Sequence, residues 1–230
     1  MDVVCCGVLV LFVFSDCSMH DVVFMLDKSA TVTRPNWLQN WLHFVDSVAN
    51  KFIDVSSTVR FAVVTDNSSH VIPLKVYNTS LIGNFEQQVN QLSWSMVSNV
   101  ADVLDSVRVH IFSQSADRTD ISPVAVLVIE NPEDSEQLIG ATDKAKADCI
   151  EIIAVGITDP SHGDPDAVDN LLATMSTRYK AVHVSSHVEL LIRVNEVAQY
   201  ICMSMTRSQC DAARISTGAS RFVLYLQYVS

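Results

Sequence analysis

A carboxylate and two hydroxyls stand together near the start of the chain, in the segment Asp27-Lys28-Ser29-Ala30-Thr31. This segment directly follows the apolar run Val22–Leu26, which is typical of a buried strand. Ligand sites of open α/β sheets lie where such strands end. Carboxylate and hydroxyl oxygens, with room for water, are the ligands that Mg²⁺ takes in proteins. The segment therefore predicts the first part of a cation site, formed by Asp27, Ser29 and Thr31.

Strand-like and helical segments alternate along most of the chain, and this alternation predicts an α/β fold with a doubly wound, mostly parallel sheet. The strand-like runs are Asp21–Asp27, Thr58–Asp66, His70–Tyr77, Pro123–Glu130, Ile150–Ile157 and Ala181–Val184. The helical patterns lie near Pro35 to Phe52 and at Phe85–Leu92, Asn99–Phe112, Asp134–Ala147, Asp166–Met175 and His187–Ile201. Pro73 and a preceding polar turn predict that the third strand is an antiparallel edge strand.

The composition excludes several classes of protein. The chain has 230 residues, of which 49% are hydrophobic and 18% charged, so one well-packed domain is expected. The formal net charge is −11 and no basic cluster is present. These features disfavour nucleic acid and anionic membrane surfaces as partners.

Both ends of the chain differ from the alternating middle. Residues 1–15 are largely apolar and predict a secretory signal peptide, the alternative being a buried first strand. Residues 203–230 predict a C-terminal tail or an incomplete following segment, and the apolar stretch Phe222–Tyr228 is too short to span a membrane. The predicted domain therefore covers residues 17–202, and we expect the protein to be secreted to the extracellular space.

Four cysteines remain after the predicted cleavage, and secretion permits disulfides. Cys17 and Cys202 flank the predicted domain, whose ends should lie close together, so we expect a disulfide between them. Cys149 is expected to be a buried free thiol. Cys210 would then be left over and available for a bridge between chains, although a Cys202–Cys210 pair is the alternative.

Two sequence triplets predict N-glycosylation. They begin at Asn67 and Asn78, in segments that resemble surface turns. Glycosylation at these positions would agree with secretion.

The arrangement as a whole resembles the von Willebrand factor type A domain over residues 17–202. The resemblance is carried by Asp21–Ser29, by the strand Val59–Thr65 and by Ile152–Ile157. It implies a six-stranded sheet of order 3-2-1-4-5-6 with helices on both faces. It also implies a matrix or adhesion protein of the matrilin or collagen VI type.

This family carries a metal-ion-dependent adhesion site built from three loops, and the resemblance extends to its positions. Asp27 and Ser29 match the first loop, and Thr31 replaces a serine there while keeping a hydroxyl. Ser98 stands where the family has threonine, and Asn131 stands where it has aspartate. The resemblance thus implies a site for Mg²⁺, or for Mn²⁺ or Ca²⁺. The loss of one carboxylate predicts weak binding.

Two other interpretations of the first loop remain open. Asp27 could cap a structural turn in which Ser29 and Thr31 bind backbone amides without a metal. The loop also resembles the nucleophile loop of haloacid-dehalogenase-like phosphatases. However, Ser29 stands where that chemistry needs a second acid. We therefore do not expect an enzyme.

The sequence leads to a functional prediction with one alternative. We expect a secreted domain that binds an extracellular matrix or cell-surface protein, such as a collagen-like ligand, through the face bearing Asp27, Ser29, Ser98 and Asn131. The alternative is a metal-independent structural component of the matrix. It would assemble through protein contacts, or as a homo-oligomer through a Cys210 intermolecular disulfide.

Overall fold

The computed structural model describes ten segments of the chain, which include all the strands and most of the helices discussed below. They are residues 17, 19–26, 37–53, 59–64, 71–76, 99–115, 120–130, 135–158, 164–178 and 180–215. The predicted helix Phe85–Leu92, the predicted signal peptide and the predicted glycosylation positions Asn67 and Asn78 lie outside these residues.

A six-stranded sheet forms the middle of the domain, with the strand order β3-β2-β1-β4-β5-β6. Every neighbouring pair is parallel except β2 and β3, which are antiparallel, so the predicted order and the predicted edge strand are confirmed. The strands are β1 (His20–Leu26), β2 (Arg60–Val64), β3 (Val71–Val76), β4 (Ser122–Glu130), β5 (Glu151–Ile157) and β6 (Ala181–Val184).

The middle parts of the central strands are apolar because helices cover both faces of the sheet. In β1, Val22 and Phe24 face one hydrophobic cluster while Val23 and Met25 face the other, and all four are buried. The seven residues of β5 are likewise all buried. The uninterrupted apolar runs in the sequence therefore follow from two-sided burial.

Helices pack on the two faces and continue past the predicted domain end. They are α1 (Trp37–Ile53), α2 (Val100–Ser106), α3 (Ser135–Ala147), α4 (Pro165–Met175), α5 (His187–Leu190), α6 (Val194–Cys202) and α7 (residues 207–215). Helices α1 and α6 contribute to the cluster that contains Phe24, whereas α2, α3 and α4 contribute to the cluster that contains Met25.

Two helical segments differ from the sequence prediction. The predicted helix Asn99–Phe112 is α2 followed by a π-helix at Val107–Ile111 and a 3₁₀-helix at Phe112–Ser115. The predicted helix His187–Ile201 is divided by a 3₁₀ turn at Leu191–Arg193, which separates α5 from α6. Hydrophobic periodicity detects helical segments but does not distinguish these changes in hydrogen-bonding pattern.

Two disulfides cross-link the domain. Cys17 and Cys202 are joined, as expected from their positions at the two ends of the predicted domain. The other expectations for cysteine were wrong, because Cys149 and Cys210 are joined to each other. Cys149 is therefore not a free thiol, and Cys210 is available neither for a bridge between chains nor for a pair with Cys202.

The second disulfide belongs to a C-terminal segment that packs on the domain instead of forming a separate tail. The amide of Arg207 donates to the Ile121 carbonyl oxygen at 3.1 Å, just before β4. Ser204 is 6% exposed, and its carbonyl oxygen accepts from the Ser122 hydroxyl at 3.2 Å. Residues 203–215 thus extend the folded unit beyond residue 202. No helix among the described residues has the length and apolar character needed to cross a membrane.

Candidate functional site

The parallel strands end at the carboxyl edge of the sheet. Two of the predicted site residues directly follow strands that end there. Strands β1 and β4 are parallel neighbours, and Leu26 pairs with Val128 near their ends. Asp27 follows the last residue of β1, and Asn131 follows Glu130, the last residue of β4. The two segments that carry these residues therefore begin at adjacent points on one edge.

The start of α2 supplies the third segment. Asn99 caps this helix, since its side-chain oxygen accepts from the Ala101 amide at 2.9 Å. The Asn99 side-chain nitrogen also donates to Gln137 on α3 at 2.7 Å. Helix α3 begins at Ser135, four residues after Asn131. These contacts fix the first residue after Ser98 relative to α3.

The predicted metal-binding residues themselves lie outside the described residues. They are Asp27, Ser29, Thr31, Ser98 and Asn131. The structure describes the ends of the elements next to them. Within the described ranges, no group of three or more His, Cys, Asp or Glu side chains is placed to hold a metal ion.

Thr158 is a polar residue at the same edge that the sequence interpretation missed. It follows Ile157, which pairs with Glu130 at the end of β4, and its amide donates to the Val184 carbonyl oxygen at 3.0 Å. The side chain is buried, and its hydroxyl has no hydrogen-bond partner in the described structure. A buried hydroxyl without a partner is costly, so this atom is suited to contact a group bound at the edge. The sequence signal for Thr158 was a polar side chain directly after an apolar strand, as at Asp27.

The opposite edge, where the parallel strands begin, holds a buried ion pair. The Lys180 ammonium lies 3.0 Å from Glu151 and donates to the Ser204 hydroxyl at 2.9 Å. It also donates to the Tyr200 carbonyl oxygen at 3.1 Å. Burial lowers the pKa of Lys180, while Glu151 acts in the opposite direction. These hydrogen bonds offset the cost of burying the charges, so the cluster has a structural role.

A second buried group at this edge lies at the start of β1. Asp21 is fully buried and forms an ion pair with Arg60 on β2, which raises the pKa of the arginine. The adjacent His20 is also fully buried. Its burial and the nearby Lys180 charge lower the pKa of His20 to about 4. The histidine is therefore neutral in the folded protein at neutral pH.

Comparisons with known proteins assign the chain to a family. The family model described as von Willebrand factor type A domain matches residues 21–196. The mouse collagen alpha-4(VI) chain is 28% identical over 148 residues, which cover 62% of this chain and 6% of the collagen chain. The chain therefore spans a small part of that relative.

Solved structures show the same fold at low identity. Proximal thread matrix protein 1 from the mussel byssus, described with a zinc-occupied MIDAS motif, has a TM-score of 0.63 and 20% identity. The alignment covers 84% of this chain and 48% of that protein. The pilus adhesin SpaC from Lactobacillus rhamnosus GG also has a TM-score of 0.63, with 12% identity and coverage of 80% and 31%.

The family match extends over most of the chain and includes every strand of the sheet except the first residue of β1. The sequence relative is a collagen VI chain, and the byssal thread matrix protein shares the fold. The chain belongs to the von Willebrand factor type A domain family.

Proposed function

We propose that this domain is secreted and binds an extracellular matrix or cell-surface protein through the carboxyl edge of its sheet. The observation that carries the proposal is that β1 and β4, the strands that precede Asp27 and Asn131, end side by side at that edge. The capped start of α2, directly after Ser98, is bonded to α3 through Asn99 and Gln137. The relationship to matrix proteins supports a protein partner, and a collagen-like ligand is the first to test. N-glycosylation at Asn67 and Asn78 is part of the same proposal.

A weakly bound divalent cation is the second part of the proposal. Asp27, Ser29, Thr31, Ser98 and Asn131 offer hard oxygen ligands, which suit Mg²⁺, Mn²⁺ or Ca²⁺. Asp27 is the one carboxylate of this set, so the ligands offset less of the cost of dehydrating the ion. When bound, the cation would supply positive charge toward an acidic group of the partner. The byssal protein, which shares this fold, is described with a zinc-occupied MIDAS motif, and this supports a metal in the proposed site.

We propose binding and not catalysis. Asp27 would act as a ligand, since Ser29 stands at the position where a phosphatase of the dehalogenase type needs an acid. Among the described residues, the orphan hydroxyl of Thr158 adds a further polar atom to the same edge.

The alternative function is a structural matrix component that assembles through protein contacts without metal. The amide of Asn131 in place of an acid favours this alternative. A bridge between chains through Cys210 is not part of it, because Cys210 is joined to Cys149 within the chain.

A binding assay on immobilised collagens, including collagen VI, tests the proposal. We expect Asp27→Ala and treatment with EDTA each to weaken binding at least about tenfold, which corresponds to about 1.4 kcal/mol. Asp120→Ala is the matched control, because Asp120 is an exposed carboxylate just before β4, at the opposite edge of the sheet. Binding that withstands both EDTA and Asp27→Ala would refute the metal site and favour metal-independent assembly.

A further inference from the structure

A cavity of about 520 Å³ lies beside the beginning of β5, at the edge of the sheet opposite the proposed binding loops. Its wall combines the π- and 3₁₀-helical region after α2, the turn between α3 and β5, and α7. Its polar and apolar lining includes Arg108, Val109, Asp148, Arg207, Asp211 and Arg214. The volume lies within the range of about 300–1,000 Å³ that is usual for small-ligand sites.

The charge of this cavity differs from that of the chain. Three arginines and two aspartates line it, which leaves one net positive charge. The chain as a whole carries a formal net charge of −11. A local excess of guanidinium groups in an acidic protein favours an anionic ligand, and the single excess charge suits a single negative group.

Two of the three arginines are held by neighbouring carboxylates. Arg108 donates to Asp148 at 2.8 Å and to Asp105 at 3.1 Å, and these contacts raise the pKa of the arginine. Arg214 lies 3.9 Å from Asp211, and its side chain is 57% exposed. The neighbouring carboxylates therefore largely balance the charges of these two arginines.

The contacts of Arg207 differ from those of the other two arginines. Its backbone amide is fixed to the Ile121 carbonyl oxygen at 3.1 Å. Within the described part of the chain, its guanidinium makes one hydrogen bond, a long one of 3.4 Å to the Phe112 carbonyl oxygen. Most of its N–H donors thus remain for a ligand, and guanidinium donors match the geometry of a carboxylate.

The cavity also has an apolar side. Val109 lines it with 47% of its surface exposed, and Ala147 beside it is exposed as well. The Cys149–Cys210 disulfide holds α7, which carries Arg207, against this wall. A ligand that joins an apolar body to an anionic end would contact both sides.

We propose that this cavity binds an apolar carboxylate, with the carboxylate at Arg207 and the apolar body against Val109. Two sources carry this chemistry, namely a free organic acid and the C-terminus of a peptide with an apolar last residue. The site is separate from the carboxyl edge, so it does not depend on the proposed adhesion function.

Isothermal titration of the full chain tests the proposal with matched pairs of probes. The first pair is 3-phenylpropionate and 3-phenylpropan-1-ol, which share a body and differ in charge. The second pair is N-acetyl-Phe-Leu with a free carboxylate and the same dipeptide with an amide end. We expect binding by one or both acids, at least tenfold tighter than by the neutral partner. The acid that binds more tightly identifies the source.

Arg207→Gln should weaken binding of the acid at least tenfold, whereas Arg193→Gln should leave it unchanged. Arg193 is a suitable control because it pairs with Glu189 and Glu196, away from the cavity. Thermal unfolding checks that each variant folds, and Arg207→Met, which keeps a long apolar stem and removes the charge, serves if the glutamine variant does not fold.

NMR titration of the unmodified chain locates the site independently of any variant. We expect acid-induced shifts in residues 147–150 and 207–214. Three results would each overturn the proposal: no binding of either acid at millimolar concentration, equal binding of acid and neutral partner, or undiminished binding by a folded Arg207 variant.

Discussion

Gly156 is the point on β5 at which α4 packs against the sheet backbone. A Cβ atom built at this position would lie 2.5 Å from Leu172 Cδ1 and 3.2 Å from Leu172 Cγ. Leu172 is fully buried, so its side chain has little room to move away. We expect Gly156→Ala to lower the free energy of unfolding by about 1–3 kcal/mol, the usual cost of overpacking a core. Urea denaturation measures this change.

Gly140 provides the matched control for that substitution. It lies on an exposed part of α3, and a Cβ built there meets no atom within 4 Å. Gly140→Ala should therefore stabilise the protein by about 0.5–1 kcal/mol, because alanine is the better helix former. If both substitutions had the same effect, the close approach of Leu172 to Gly156 would be contradicted.

His20 makes stability depend on pH. Its pKa is lowered to about 4 in the folded protein, first by burial and then by the Lys180 charge, against a usual value of about 6.5. Between these two values the unfolded state binds the proton and the folded state does not, so stability falls as the pH falls. We expect a loss of about 3 kcal/mol from pH 6.5 to pH 4, and the full stability from His20 above pH 6.5.

Denaturation at several pH values, compared between variants, isolates this contribution from that of the carboxylates. His20→Gln should flatten the dependence between pH 6.5 and pH 5. His43→Gln, which replaces an exposed histidine on α1, is the matched control. A His20→Gln protein with the same pH dependence as the parent would contradict the lowered pKa.

At the scale of elements, the sheet could be predicted because each strand carries its own signal. The apolar runs in β1, β4 and β5 are long enough to require burial on both faces, and Pro73 marks the edge strand. The division between α5 and α6 could not be predicted, since a 3₁₀ turn preserves the approximate hydrophobic spacing.

The two cysteine pairs also differ in whether the sequence could predict them. Cys17 and Cys202 lie at the ends of recognisable elements, so their proximity follows from the fold. The Cys149–Cys210 pair depends on how residues 203–215 return to the domain, and no periodic pattern in the sequence signals that path. Pairing was therefore predictable only where both partners border predicted elements.

The Cys149–Cys210 disulfide should hold α7 in place. It closes a loop with a sequence separation of 61 residues, for which the chain-entropy estimate is about 4 kcal/mol. We expect the double variant Cys149→Ser/Cys210→Ser to lose up to that amount of stability. Trypsin should cleave it faster after Arg207 and Arg214, within α7.

The variant that lacks the Cys17–Cys202 disulfide is the control for this prediction. Cys17→Ser/Cys202→Ser removes a bridge with a separation of 185 residues, which the same estimate places at about 5 kcal/mol. It should lower global stability without a selective increase in cleavage within α7. Equal trypsin cleavage of α7 in the parent and in the Cys149→Ser/Cys210→Ser variant would contradict the proposed role of the second disulfide.

For the whole molecule, the edge of the sheet at which β1 and β4 end follows from the parallel strand order, whereas the identity of the polar residues at each edge does not. Parallel strands bring their carboxyl ends to one edge, so Asp27 and Asn131 are carried there by β1 and β4. Thr158 was missed because a single hydroxyl after a strand is a weak signal until its burial is known. The ion pair of Lys180 and Glu151 at the other edge was missed because its residues lie 29 positions apart, in separate elements.

The C-terminal segment completes that second edge, and this gives a prediction about the extent of the domain. Ser204 accepts from Lys180 at 2.9 Å, and the amide of Met205 donates to Glu151 at 3.4 Å. The amide of Arg207 donates to Ile121. Without these bonds the Lys180–Glu151 pair would remain buried with fewer partners, and buried charges are costly when they lose hydrogen bonds.

Two shortened chains separate this contribution from that of the disulfide. One ends at residue 215 and carries Cys149→Ser and Cys210→Ser, and the other ends at Met203 and carries Cys149→Ser. Neither has the second disulfide, and both keep Cys17 and Cys202. We expect urea denaturation to show the shorter chain to be less stable by about 2–4 kcal/mol, since it loses at least four hydrogen bonds, two of them to charged groups. Equal stability would mean that residues 204–215 are an appendage and that the domain ends near residue 202. A measured difference would instead make residues 204–215 part of the fold, because the two chains differ only in that segment.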